Sequence, residues 1–149
     1  MELKPEESLG FQVRRCHRAF ERALNEQLAP HGITAGFWGF LRALWQENGA
    51  TQKRLSQLNN VTEPTAVTTL NAMAKAGLID RRRNAEDRRK LNVHLSPKAD
   101  GLKGELMPIA SRINAIAADG ISAEELHTTL RVLRRMAENL SREAREDAA

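Results

Sequence analysis

The stretch from Gly49 to Ser96 constrains this chain more than any other: GATQKRLSQLNNVTEPTAVTTLNAMAKAGLIDRRRNAEDRRKLNVHLS. Its first part holds two short helical patterns. Thr51 is an N-cap residue type, and Leu55 and Leu58 fall three apart, which predicts a short helix with one apolar face. Asn59 and Asn60 tolerate the conformations that end a helix and start a turn. A second helix is predicted from Thr62 to Ala76. Thr62 can cap it, Glu63 suits the helix dipole, and Pro64 costs little in a first turn, whose N–H groups have no intrahelical acceptor. Ala66, Leu70 and Met73 recur at i, i+4 and i+7 and so share one apolar stripe. Thr65, Thr68 and Ala72 fall roughly opposite, with Thr69, Asn71 and Lys75 on the flanks. Gly77 stops the helix.

The second part is strand-like. Leu78 and Ile79 lead into Arg81, Arg82, Arg83, Glu86, Asp87, Arg88, Arg89 and Lys90, six cations against two acids, a local net charge of +4. Leu91, Val93 and Leu95 then alternate with Asn92 and His94, the pattern of a half-buried strand. Helix, turn, helix and hairpin in this order make a winged helix-turn-helix. So basic a tip repels itself unless a polyanion neutralises it. The second helix is therefore expected in a DNA major groove, with Thr62, Pro64, Thr65, Thr68 and Thr69 toward base edges or phosphates and Lys75 toward the backbone. Arg83, Arg88, Arg89 and Lys90 of the wing are expected against phosphate and minor groove.

The segment GLIDRRRNAEDRRKLNVHLSPKADG resembles the signature of the MarR-type regulators, the multiple antibiotic resistance repressor family. The family's wing carries an Asp-x-Arg pair, matched by Asp87 and Arg89, before an alternating run matched by Leu91, Leu95 and Ser96. The likeness extends over nearly the whole chain in element order and length, and is most distinctive between Thr62 and Gly101. It implies a homodimeric, mostly α-helical DNA-binding transcription factor. Many such proteins are repressors released by small, often aromatic or anionic ligands, and others sense oxidants. Carried over, Arg89 is the groove or phosphate contact, Asp87 its brace, and Arg88 a second contact.

The 149 residues suffice for one domain with its own core, and the overall charge of +4 matters less than its concentration at the wing. No apolar run is long enough to span a membrane and no signal-peptide pattern opens the chain, which fits a cytoplasmic protein. A single cysteine excludes an intramolecular disulfide framework. Ser8 is placed to cap a long first helix whose stripe is Leu9, Val13, Cys16, Phe20, Leu24 and Leu28, broken by Pro30, His31 and Gly32. Arg14, Arg15, Arg18 and Arg22 lie on its other side, either as a solvated face or as cations near an anionic ligand or partner. Thr34 can cap the next helix, with Phe37, Phe40, Leu41, Leu44 and Trp45 as its stripe and Trp38 to one side. These rings read first as core. The sharper reading is an effector pocket formed by Phe37, Trp38, Arg14, His17 and Arg18, with space left by Gly36 and Gly39.

After the wing, Ser96 and Pro97 start a helix whose stripe Leu102, Leu106, Ile109, Ile113 and Ile116 runs to about Ala118, bent at Pro108. Ser122 and Glu125 form a capping box for the last helix, where Leu126, Leu130, Leu133, Ala137 and Leu140 make a heptad seam. The expected fold is thus mostly α with a small β-hairpin wing, one domain over residues 1–149. Residues about 34–95 would form the winged DNA-binding lobe, and about 8–33 and 96–145 a helical dimerisation lobe. A two-fold dimer would read a near-palindromic operator in double-stranded DNA. An enzyme is not expected, nor a cofactor or a metal. The histidines at 17, 31, 94 and 127 have no ligand spacing, Cys16 and His17 diverge by about 100° on a helix, and no phosphate-binding glycine loop is present. Cys16 reads as a packing cysteine on the apolar stripe. Two alternatives stay open: a redox-sensing repressor acting through Cys16, and a helical interaction protein that does not bind DNA.

Overall fold

The computed structural model describes residues 3–148 and divides the chain into two compact units, 1–113 and 114–149. The first unit contains α1 (Leu9–Leu28), α2 (Ala35–Gln46), α3 (Gln52–Leu58), α4 (Glu63–Lys75), strands β1 (Ile79–Arg83) and β2 (Leu91–Leu95), and α5 (Pro97–Gly101). Helix α6 (Lys103–Ala117) runs across the division, and α7 (Ala123–Asp147) makes up most of the second unit. No helix among the described residues is long and apolar enough to cross a membrane.

Side-chain caps start the helices where the sequence placed them. Ser8, Thr34, Thr51, Thr62, Ser96 and Ser122 each accept from a backbone N–H three residues on, which satisfies a donor the helix itself cannot. Asn60 turns the chain between α3 and α4 with φ +52°. Gly77 ends α4 at φ +74°, where only a residue without Cβ avoids strain, and Leu78 N–H closes the end on Met73 O at 3.0 Å.

One core holds the first unit together. Leu28, Leu41, Leu44, Leu55, Ala66, Leu70, Met73 and Val93 are wholly buried in it, with Leu78 and Ile79 nearly so. The strands pair antiparallel with Ile79 opposite Leu95 and Arg83 opposite Leu91, so Val93 points inward. Residues 49–51 add a short third edge: Gly49 N–H bonds Val93 O and Val93 N–H bonds Ala50 O, each at 2.9 Å, and Thr51 bridges Asn92. The sequence reading did not include this edge. Gly49 sits at φ +88° with the His94 ring against it, so a side chain there would meet both strain and the imidazole.

Four expectations need correction. Leu58 does not share the buried face of Leu55: it is 45% exposed, and Ser56 is buried in its place with its hydroxyl bonded to Lys53 O. In this seven-residue helix the core takes Leu55 and its neighbour Ser56 rather than a stripe. Trp38 is not to one side but in the core, 6% exposed, edge-on to Trp45 with ring centroids 5.7 Å apart. Trp45 in turn donates from Nε1 to Ala99 O at 3.1 Å, which ties α2 to α5. The helix after the wing breaks at Leu102, not at Pro108, which lies inside α6. Gly101 and Gly104 flank the break, where backbone entropy weighs most against helix, whereas Pro108 forfeits a single bond. Finally, Cys16 is exposed rather than packed. Phe20, Ala23, Leu24 and Leu28 of α1 join the core, but Leu9 and Val13 remain 65% and 45% exposed.

In the second unit, α7 opens on the expected capping box: Ser122 Oγ accepts from Glu125 N–H, and the Glu125 carboxylate accepts from Ser122 N–H. Those bonds to Ser122, backbone first, hold the Glu125 carboxyl below its usual range. Leu130, Leu133 and Leu140 of the heptad seam are exposed.

Because α4 is held by Ala66, Leu70 and Met73, replacing Leu70 by Ala should destabilise the protein by about 2–5 kcal/mol in urea denaturation. Thr68→Ala, on the opposite face, should stay within about 0.5 kcal/mol.

Candidate nucleic-acid interface

With its stripe buried, α4 turns its threonine side outward. Thr62, Pro64, Thr65, Thr68 and Lys75 are exposed and Thr69 is half-buried. Two of the hydroxyls donate to the helix backbone, and two share a single bond. Thr68 Oγ1 donates to Pro64 O at 3.1 Å, Thr69 Oγ1 to Thr65 O at 3.2 Å, and Thr62 Oγ1 meets Thr65 Oγ1 at 3.0 Å. What remains outward is methyl groups, oxygen lone pairs and the one proton the Thr62–Thr65 pair leaves over, a short, uncharged surface that lets the helix backbone approach a groove.

The wing tip, residues 84–90, is organised by an asparagine. Asn84 Oδ1 accepts from Glu86 N–H and Asp87 N–H, both at 2.9 Å, an Asx-type turn that starts the loop. Asn84 Nδ2 donates to Asn92 Oδ1 at 3.0 Å, and Asn92 Nδ2 donates to Gly49 O at 2.6 Å. The tip is thus moored through two amides to the edge before α3. Asn84 could have been found from the sequence, since an Asx turn uses partners two and three residues on. Asn92 could not, because its partner lies 43 residues away in the chain.

The basic residues divide into those with protein partners and those without. Arg89 donates to Asp87 from Nε at 3.0 Å, from Nη2 at 3.1 Å and from its backbone N–H at 3.1 Å. The Arg89 side-chain bonds, and then its backbone N–H, hold the Asp87 carboxyl below its usual range, and Asp87 raises the Arg89 guanidinium above its own. The Arg89 side chain is nonetheless 90% exposed, so the pair orients the guanidinium without covering it. Arg83 Nη1 donates to Arg88 O at 2.9 Å, bracing the tip from within. Arg82 pairs with Asp80 at 3.1 Å. Arg81 reaches back to α4 and donates to Asn71 Oδ1 at 2.8 Å. Among the described residues, the side chains of Arg88, Lys90 and Lys75 make no hydrogen bond or ion pair and are exposed. The reading helix and the wing therefore present one set of cations free to meet an anion and another spent on shape, a division the sequence reading did not draw.

The residues expected around an effector are not gathered in one cavity. Arg14, His17 and Arg18 lie exposed on α1, Phe37 is half-buried, and Trp38 is packed in the core. The space beside Gly39 is taken by the Asn59 side chain. An open cleft of about 230 Å³ lies on another side of α2, lined by Gly39, Arg42, Ala43, Gln46, Leu58 and Asn59.

Asp87 has a lowered carboxyl, so its contribution to wing order is present above the ordinary carboxylate range and lost as pH falls through the lowered value. Carboxyl carbon NMR should find the Asp87 midpoint below that of a free aspartate, and Arg89→Ala should move it back up.

Residues 33–91 match the MarR family model, a span that begins just before α2 and ends at the first residue of β2. A MarR transcriptional regulator from Methanosarcina mazei Go1 is 25% identical, with 90% of this chain and 96% of that one covered and a TM-score of 0.80. A probable transcriptional regulator from Pseudomonas aeruginosa is 26% identical over 89% of this chain and 99% of that one, also at a TM-score of 0.80. The fold is shared further with a mutant MarR from E. coli complexed with operator DNA, at 21% identity, 86% and 92% coverage and a TM-score of 0.80. Over residues 33–91 the chain thus matches the MarR family, and over nearly its whole length it shares the fold of these transcriptional regulators.

Proposed function

We propose that the protein is a sequence-specific DNA-binding transcriptional regulator, a homodimeric repressor that acts in the cytoplasm. The observation that carries this reading is the juxtaposition of two surfaces in one compact unit. The outward face of α4 carries short, uncharged side chains, and the adjacent wing presents Arg89, Arg88 and Lys90 to solvent. A major groove accepts a helix, and phosphates or the minor groove accept the wing. The E. coli MarR structure with operator DNA supports the same docking by likeness of fold.

Dimerisation is supported by the apolar surface the single chain leaves uncovered. Leu9, Phe11 and Val13 of α1 and Leu130, Leu133 and Leu140 of α7 are all 39% exposed or more. Two helices patterned this way at the two ends of the chain suit a helical dimerisation lobe, and two-fold symmetry would then present two copies of α4 to a near-palindromic operator. Release by a small aromatic or anionic ligand draws support from the cations Arg14, His17 and Arg18 on α1 and from half-buried Phe37. Trp38 is committed to the core and would have to leave Trp45 to take part.

The direct test is fluorescence anisotropy with genomic fragments against random duplex, which should show preference for a fragment containing a two-fold repeat. Equal affinity for all duplexes would defeat the regulator reading. Lys90→Ala should weaken binding to every sequence and lower the salt slope by about one unit, whereas Thr68→Ala should change which operator is preferred. Sedimentation should find a dimer, and Leu133→Arg should shift it toward monomer while weakening operator binding.

A further inference from the structure

Arg81 is the arginine of β1 that turns inward. Arg82 and Arg83 are exposed, but Arg81 is half-buried, and its Nε is buried with no partner among the described residues. Its one side-chain bond is to Asn71 of α4, from Nη2 to Oδ1 at 2.8 Å. So situated, it is badly placed to serve as a phosphate contact.

The chemistry of that bond dictates the orientation of the amide. A guanidinium has five N–H donors and no acceptor, so Asn71 must offer it the oxygen. The NH2 group then projects away from β1, and Asn71 is exposed. On a helix of 100° per residue, Asn71 lies about 60° from Thr68 and about 40° from Lys75, within the outward arc of α4. The hydroxyls of Thr68 and Thr69 have their protons turned onto the helix backbone. Beside the acceptors and methyl groups of Thr68 and Thr69, Asn71 is therefore a neutral donor of two N–H groups.

We propose that Arg81 is a positioning residue for recognition. By holding the Asn71 oxygen it aims the amide N–H groups into the major groove, so that Asn71 favours guanine, whose N7 and O6 both accept, or thymine O4, over adenine, whose N7 acceptor lies beside a donor amino group. An unrestrained asparagine prefers adenine, which it meets with donor and acceptor together. With the oxygen held toward β1, that bidentate geometry is withdrawn. The inference rests on the duplex-binding reading above and specifies one determinant of its sequence choice.

The experiment is selection of binding sites from a randomised duplex pool by wild type, Asn71→Ala, Arg81→Met and Arg81→Lys, with circular dichroism and salt titration on each. Wild type should select guanine or thymine at one step in each half-site. Asn71→Ala should flatten that step, losing roughly 5- to 100-fold in discrimination, with neighbouring steps unchanged. Arg81→Met should relax the same step and admit adenine at an unchanged salt slope, and Arg81→Lys, which keeps a donor, should restore the wild-type choice. Selection unaffected by Asn71→Ala overturns this proposal alone. A uniform loss in Arg81→Met with a salt slope lower by about one unit also overturns it, because that marks a phosphate contact. A wild type that selects nothing removes the parent reading and this one with it. Should Arg81→Met fail to fold, the wild-type choice itself still decides, because adenine selected at the step that Asn71→Ala flattens would mean that the amide oxygen is not held toward β1.

Discussion

The burial of Ala66, Leu70 and Met73 is the constraint on which the rest of the first unit depends. A helix is rigid about its axis, so three buried positions on one stripe set the direction of every other side chain on it. Once those three are in the core, Thr65 and Thr68 must face outward and Asn71 must lie at the edge nearest the arginines of β1. The hairpin stands on the same foundation, because Ile79 and Val93 enter that core from the strands. Helix and wing thus share one hydrophobic base, and their relative placement follows from packing rather than from the charges they carry.

Those charges present a problem that the fold solves locally. Six cations within ten residues repel one another, and exposed ion pairs return little free energy in water. The wing is accordingly held by neutral amides. Asn84 and Asn92 carry the tip to Gly49 through bonds that salt does not screen, while the arginines are given separate partners. Arg83 takes a carbonyl of the tip, Arg82 takes Asp80, Arg81 takes Asn71, and Arg89 is fixed by Asp87 while staying exposed. A basic loop ordered by amides can keep its shape when salt or a polyanion changes its electrostatic surroundings.

The two ends of the chain behave differently. Leu58 and Met107 apart, the first unit packs its large apolar residues internally from Phe20 onward, whereas the start of α1 and the seam of α7 leave leucine side chains in water. Each such side chain forgoes part of the roughly 1.5–3 kcal/mol that full burial would give. That unmet apolar surface is the physical ground for the proposed second copy, and it also accounts for exposed Cys16, which sits on the same stripe of α1 as Leu9 and Val13.

Much of this was legible in the linear order of residues, and the reason is range. Caps, glycine stops, the apolar stripe of α4 and the alternation of β2 all depend on residues within four positions of one another, where helix and strand periodicity transmit the information directly. The Asp87–Arg89 pair belongs to the same class, spanning two residues. What sequence left open involves partners far apart in the chain. The strand edge at residues 49–51, the Asn92–Gly49 mooring, the burial of Trp38 against Trp45, and the arginine that reaches Asn71 each require the core to bring segments together first. Periodicity shows which face of an element is apolar. Only the packed chain decides how far along that face the core extends, which is why Leu58 and Cys16 emerged in solvent and Ser56 did not.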